Sequence, residues 1–283
     1  MDAIVINQLT KVYKALGKRT VQPLRGLDLT VRENEVFGFL GRNGAGKTTT
    51  IKIICGLLRR TAGEVTVLGE NAGKRASRRL IGYLPEQPYF YEYLTPKETL
   101  DFYGRLRGMS RKQRGDEWER LSEMLELRDI QDRRIKGFSK GMRQRVGFAV
   151  ALVGDPPVLI LDEPMSGLDP VGRRMIRELI VKQRDAKKTI FFSSHVLGDV
   201  EQICDRAGIL SGGVLAHAGR MDELTGAQTF QIEVIGKNLP EQLVEQLAAQ
   251  ALTHRSFDDS HRFVFLGEAE ANAAAARILE AHG

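Results

Sequence analysis

The sequence predicts an α/β fold built on a mainly parallel sheet, with a flanking antiparallel β element, an inserted helical subdomain and a small α/β accessory domain near its end. Three observations predict it. Apolar, β-rich runs alternate with helical patterns along most of the chain, as strands and crossover helices do. Two of these runs, Val36-Phe37-Gly38-Phe39-Leu40 and Val158-Leu159-Ile160-Leu161, are continuously apolar, which suits strands covered on both faces. The 283 residues exceed one small domain and suit a large domain with an appendage.

From Ile4 to Val31, short alternating strands precede any helix, so an antiparallel element is expected to flank the main sheet. From Thr95 to Leu152 helical patterns dominate, which predicts a helical subdomain inserted at about 88–155. The main domain is expected to span 1–220, because recognisable motifs stop after Gly219. Residues 221–283 then read as an accessory domain: a strand (Phe230 to Ile235), a helix (Pro240 to Ala249), short strands around Thr253 and Phe263, and an alanine-rich helix from Glu268. No internal repeat is present, which excludes a solenoid.

Hydrophobic residues make up 42% and charged residues 28%, ordinary globular values that exclude a disordered or fibrous chain. The longest apolar stretches, such as Gly147 to Gly154, fall short of the roughly 20 residues that a spanning helix needs. The first residues, MDAIVINQLTKVYK, lack the basic start, apolar run and cleavage site of a secretory signal, so the cytoplasm is expected. Cys55 and Cys204 form no metal-type or redox-type spacing and are expected as buried packing residues. A net charge of +6 with pI near 9.3 suggests nucleic acid, anionic lipid or a phosphate site. The basic clusters Arg75 to Arg79, Arg105 to Arg114 and Arg128 to Lys136 are interrupted by apolar residues at helical spacing. They read as solvated helix faces, with lipid head groups as the alternative, and no nucleic-acid partner is expected.

The strongest chemical signal follows the first buried strand. Gly41, Arg42, Asn43, Gly44, Ala45, Gly46, Lys47, Thr48 and Thr49 match G-x-x-x-x-G-K-[ST] and lead into a helical pattern. Glycines let such a loop wrap with its N–H groups inward, so that several donors and a helix N-terminus converge on phosphates. Lys47 is placed to neutralise the β- and γ-oxygens of a nucleotide, and Thr48 to offer its hydroxyl to Mg²⁺. Asp162 and Glu163 end the second buried strand, where open α/β sheets bind ligands. Asp162 suits the Mg²⁺ shell and Glu163 a base that orients and deprotonates water; a turn or a helix cap is the plainer reading of each. Ser139, before the helical run Val146 to Val153, sits at an N-cap position, and together with Gly141 it makes a second anion-binding helix tip. One triphosphate does not need two such tips in one chain, so a second copy is expected to face the first.

With these motifs in this order, the chain resembles the ATP-binding-cassette ATPase family over about its first 220 residues. The resemblance implies a P-loop NTPase core, ATP and Mg²⁺ as ligands, and hydrolysis that powers transport through separate integral membrane permease subunits, by ATP-driven closure of a homodimer at the cytoplasmic face of the membrane. The alternative is a non-transport ATPase of the same family acting on a soluble partner. It further implies that Ser139 to Met142 is the signature, that Ser166 to Asp169 couples the two sites across the dimer, with Asp169 near the nucleotide, that His195 contacts the γ-phosphate, and that Tyr13 stacks on adenine. Two positions depart from the family pattern. Glu86 stands where the usual metal-sensing glutamine is expected and Gln87 follows it, so either of the two is a candidate for that role. Lys140 stands where glycine is common, reaching either the γ-phosphate or solvent. The segment from Glu86 to Leu94, rich in aromatics, and the helical insert are the expected docking surface for the permease. Rival classes lack their marks: there is no second cassette, no long heptad region and no Asn-Lys-x-Asp guanine-reading motif.

Overall fold

The computed structural model describes residues 1–13, 20–226, 231–251, 253–257, 259–266 and 268–281, and divides into two compact units, Met1–Met221 and Asp222–Gly283.

The first unit opens with β1 (Asp2–Tyr13), β2 (Val21–Arg32) and β3 (Val36–Leu40), then α1 (Lys47–Ile54), β4 (Ala62–Val67), β5 (Glu70–Asn71), α2 (Arg75–Arg79) and β6 (Ile81–Leu84). Helices follow: α3 (Pro96–Leu106), α4 (Arg111–Met124), two short 3-10 turns (Arg128–Ile130 and Ile135–Gly137) and α5 (Lys140–Leu152). Then come β7 (Val158–Leu161), α6 (Pro170–Asp185), β8 (Thr189–Ser194), α7 (Leu197–Glu201), β9 (Arg206–Ser211) and β10 (Val214–Arg220).

The central sheet runs β10-β9-β3-β8-β7-β6 and is parallel except where β10 returns beside β9. Strands β3 and β7 are buried at every residue, which is why their apolar runs do not alternate. Phe37 stacks on Phe191 across β3 and β8 with ring centroids 5.9 Å apart. The flanking sheet β2-β1-β4-β5 is antiparallel. Sequence patterning suggests short strands here, but β1 and β2 each run for 12 residues. Register shifts at Ile6/Leu9 and Lys11/Tyr13, with Gln8 at a positive φ of 47°, break the alternation without ending the strand.

The helices between β6 and β7 begin at strong local signals. Thr95 and Glu98 form a reciprocal capping box for α3, and Ser110 and Gln113 one for α4. Helix α5 lies tight on the sheet: a Cβ on Gly82 of β6 would stand 2.0 Å from the carbonyl oxygen of Ala151, so only glycine fits there. Cys55 is buried as expected, whereas Cys204 is partly exposed.

The second unit contains α8 (from Met221 to Gly226, starting at the last residue of the first unit), β11 (Gln231–Lys237), α9 (Glu241–Gln250), β12 (Thr253–Phe257), β13 (Ser260–Leu266) and α10 (Glu268–Glu280). Its sheet, β11-β13-β12, is antiparallel, and Leu247, Phe263, Ala274 and Ile278 form its core. Phe230, where the sequence starts the first strand, lies outside the described residues.

Candidate functional site

The C-terminal ends of β3, β8, β7 and β6 stand side by side, because Leu40 pairs with Ser194, Leu161 with Phe192 and Leu84 with Leu161. Each loop leaving that edge carries a candidate residue. After β3, residues 41–46 wrap into α1, whose N-cap is Gly46 at φ 114°. A Cβ on Gly46 would also meet the carbonyl oxygen of Pro23 at 2.6 Å, so the loop closes onto β2 only with glycine. The Ala45 N–H donates to the Arg42 carbonyl at 3.1 Å, and no side chain caps the N–H groups that start α1. A helix start of this kind suits an anion.

Asp162 and Glu163 follow β7. The Asp162 Oδ1 accepts hydrogen bonds from Ser193 Oγ at 2.8 Å and from Thr48 Oγ1 at 3.3 Å. Ser193 Oγ in turn accepts from the Glu163 N–H at 2.9 Å. Glu163 adopts φ 48°, a left-handed conformation that is costly for a side-chain-bearing residue and turns its carboxylate back toward the phosphate loop. There its Oε2 lies 2.8 Å from His195 Nδ1 and its Oε1 3.1 Å from Lys47 Nζ. Lys47 directs its hydrogen bond to the Gly41 carbonyl at 2.6 Å, so its contact with Oε1 is an ion pair without hydrogen-bond alignment.

Burial, together with the negative charges of Glu86 and Glu163, holds the Asp162 carboxyl above the usual carboxylate range, against the hydrogen bonds from Ser193 and Thr48. Burial and the Asp162 charge also push the Cys55 thiol up, which leaves it an inert packing group.

A cavity of about 520 Å³ is lined by Asn43, Gly44, Gly46, Lys47, Thr48, Thr49, Glu86, Glu163 and His195. Pro23, Arg42 and Ser166 complete it. Pro23 arrives from β2 with no local sequence signal, whereas Ser166 belongs to the segment Ser166 to Asp169 already singled out. Gln87 faces a different cavity, of about 440 Å³, that it shares with Lys140, and Glu86 borders both.

Besides Gln87, four expected residues stand away from the first cavity. Ser139 is exposed and caps α5, accepting from the Met142 N–H at 3.3 Å. Gly141 lies in the first turn of α5, and Asp169 caps α6, accepting from the Gly172 N–H at 2.7 Å. Tyr13 ends β1 half-exposed, with the Lys11 ammonium 4.8 Å from its ring centroid. Lys140 is exposed, and its Nζ lies against Gly167, where an added Cβ would come within 2.5 Å of it.

Chemically the site offers the cations Lys47 and Arg42, a carboxylate joined to a histidine, and a threonine hydroxyl beside a second carboxylate. Thr48, Asp162 and the bordering Glu86 are hard oxygen donors of the kind Mg²⁺ takes. Among the described residues no cluster of three or more histidine, cysteine, aspartate or glutamate side chains forms a protein-only metal cage.

A family profile described as ABC transporter matches residues 24–166. An uncharacterized ABC transporter ATP-binding protein of Nostoc sp. is 44% identical over 241 residues, covering 82% of this chain and 71% of that protein. The bacitracin transport ATP-binding protein BcrA of Bacillus licheniformis is 38% identical over 260 residues, covering 90% of this chain and 79% of BcrA. Among solved structures, an ATP-binding subunit of an ABC transporter is similar with a TM-score of 0.71 at 30% identity, covering 79% of this chain and 92% of that one. A cassette solved as a dimer in a post-hydrolysis state with ADP and Pi has a TM-score of 0.71 at 25% identity, covering 77% of this chain and 98% of that one.

Proposed function

The chain belongs to the ABC transporter ATP-binding family, and from that membership we infer that it is the ATP-binding and ATP-hydrolysing subunit of a transporter, working as a dimer at the cytoplasmic face of separate permease subunits. The observation that carries the site assignment is the convergence of Lys47, Glu163 and His195 beside the Thr48–Asp162 pair at one edge of the sheet.

In this reading the phosphate loop and Lys47 bind the triphosphate. Thr48 and Asp162 hold Mg²⁺, with Glu86 or Gln87 nearby; when bound, the ion supplies neutralising charge to the β- and γ-oxygens. Glu163 takes a proton from water as the water oxygen attacks the γ-phosphorus and the bond to ADP breaks, releasing phosphate. His195, through Nδ1, fixes the orientation of the Glu163 carboxylate. Ser139 and Gly141 stand outside the cavity of their own chain, which supports their serving the nucleotide held by a second copy, with Asp169 in the segment that joins the two sites. Tyr13 serves as the adenine platform.

No helix among the described residues is long and apolar enough to cross a membrane. The pore is assigned to permease subunits, docked where Tyr89, Tyr91 and Tyr93 lie exposed ahead of α3, Tyr89 at 88%. Exposed aromatics of this density are typical of interface anchors.

Glu163→Gln tests the reading. With Mg²⁺ and ATP, it should bind nucleotide, lose about a hundredfold or more of hydrolysis, and accumulate as a dimer by light scattering. Turnover at the parent rate removes Glu163 as the base; a strictly monomeric variant at saturating ATP removes the two-chain site.

A further inference from the structure

A further cavity, of about 1050 Å³, lies between α2, the end of α3 and the turn after α5. Its walls bring together Arg75, Arg78 and Arg79 from α2 with Arg105 and Arg107 from α3 and the residue that caps it. These arginines come from two separate stretches of sequence, and only the fold gathers them.

The acids that border this cavity are already engaged. Glu117 pairs with Arg120 at 2.9 Å and accepts from the Gly154 N–H at 2.9 Å, while Asp155 pairs with Lys188 at 2.7 Å. Arg105 is matched by Asp101 at 2.7 Å. Arg107 spends its guanidinium on two backbone carbonyls, Arg79 at 3.2 Å and Ile81 at 2.9 Å, and so ties the end of α3 to the α2–β6 turn. Among the described residues, the side chains of Arg75, Arg78 and Arg79 have no hydrogen-bond or ion-pair partner.

Spaced i, i+3 and i+4, these three share one face of α2, where like charges repel. The helix dipole favours Arg78 and Arg79 in the last turn but disfavours Arg75 in the first. Local structure therefore does not account for the cluster. An anion with several oxygens would, because each guanidinium offers a planar fork of donors that matches phosphate.

We propose that this arginine-lined cavity binds a phosphate-bearing anion, at a site distinct from the phosphate loop. Leu106, 67% exposed, and Met109 stand on the same wall. A cationic floor beside exposed aliphatic surface suits an amphiphile, and so favours the headgroup of an anionic phospholipid over a free phosphate.

The test uses the full chain carrying Lys47→Ala, which removes the phosphate-loop lysine from the comparison. Flotation with phosphatidylcholine vesicles, with and without phosphatidylglycerol, is compared with calorimetric titration of pyrophosphate. The triple variant Arg75→Gln, Arg78→Gln, Arg79→Gln should lose at least about tenfold in affinity for whichever probe the parent binds. A control of equal charge change outside the cavity, Arg25→Gln, Arg32→Gln, Lys237→Gln, should lose little. Arg75→Gln alone, at an exposed position, gives a smaller loss of the same sign and serves if the triple variant is unstable. Binding to phosphatidylglycerol vesicles that the triple variant loses identifies a headgroup. Binding of pyrophosphate alone, lost in the same way, identifies a free phosphate. If neither probe binds, or if control and cavity variants lose binding equally, the site does not exist.

Discussion

The Lys47 ammonium and the Glu163 carboxylate form a 3.1 Å ion pair in which the side chains are only 6% and 9% exposed. A pair this buried matters in both directions: phosphates compete with Glu163 for the lysine, and loss of the lysine strands a buried negative charge. Lys47→Ala is expected to weaken ATP binding by about tenfold to a hundredfold, the range of one charge-assisted hydrogen bond. It should also lower the melting temperature of the nucleotide-free protein. Adding Glu163→Gln to that variant should recover the melting temperature but not the affinity. Fluorescent-nucleotide titration and thermal melts read the two effects separately, and unchanged affinity for Lys47→Ala would take the phosphates away from this loop.

His195 touches the carboxylate through one nitrogen, Nδ1 at 2.8 Å from Glu163 Oε2, and is otherwise largely open to solvent. Its removal leaves Glu163 in place but free to turn. His195→Ala is therefore expected to lower kcat by about a hundredfold, the cost of a misaligned reacting group, while KM for ATP changes little. Steady-state kinetics with a parallel binding titration distinguish this from simple loss of affinity. A loss confined to KM would show that His195 binds nucleotide and does not position the carboxylate.

What could be read from the sequence is what is local in it. Strands β3 and β7 announce themselves because burial on both faces leaves no polar residue to interrupt the run. The phosphate loop is legible because its geometry depends on adjacent glycines. Ser193 is different: its bonds to Asp162 and to the Glu163 N–H exist only because β7 and β8 lie next to each other in register, and nothing near Ser193 encodes that. The long first strands were hidden for a related reason, since the bulges around Gln8 reverse the inside-outside pattern partway along β1. The basic clusters read as solvated helix faces one at a time; the α2 arginines are exposed, but Arg107 bonds two backbone carbonyls, Arg114 is largely buried against Asp101, and Arg128 to Lys136 runs through two 3-10 turns. The meeting of the first two clusters around one cavity joins α2 to the end of α3, a tertiary relation that periodicity cannot report.

Ser139 has two roles to separate, capping its own helix and meeting the phosphate of another chain. Its Oγ accepts from the Met142 N–H at 3.3 Å, so Ser139→Ala should cost about 1 kcal/mol as a lost N-cap and confuse the two. Ser139→Asp keeps a good cap while placing a negative charge where the partner's γ-phosphate is proposed to sit. The expected outcome is an unchanged melting temperature without nucleotide, unchanged ATP binding to the single chain, and loss of the ATP-dependent dimer in a Glu163→Gln background. A dimer that persists in Ser139→Asp would leave the serine as a cap only.

Asp101 of α3 accepts from Arg114 Nε of α4 at 2.5 Å, which holds the two helices together, and from Arg105 Nε one turn along α3 at 2.7 Å. The helices are close here, since a Cβ on Gly104 would stand 2.8 Å from Arg114 Cγ. Burial pushes the Asp101 carboxyl upward, but the hydrogen bonds and charges of Arg114 and Arg105 outweigh it and hold the group below its usual range. A carboxyl depressed in the folded state contributes stability that is present above its unfolded pKa and is lost as pH falls through the folded value. Asp101→Asn should therefore lower stability at neutral pH, by no more than about 1 kcal/mol because the carboxylate is largely solvent-screened. The difference from the parent should shrink as the pH drops through and below the ordinary carboxylate range, and it should shrink again in high salt. Urea unfolding at neutral and acid pH checks the sign. A deficit of the same size at both would mean that Asp101 acts through shape rather than charge, because only the ionised form can lose its advantage to a proton.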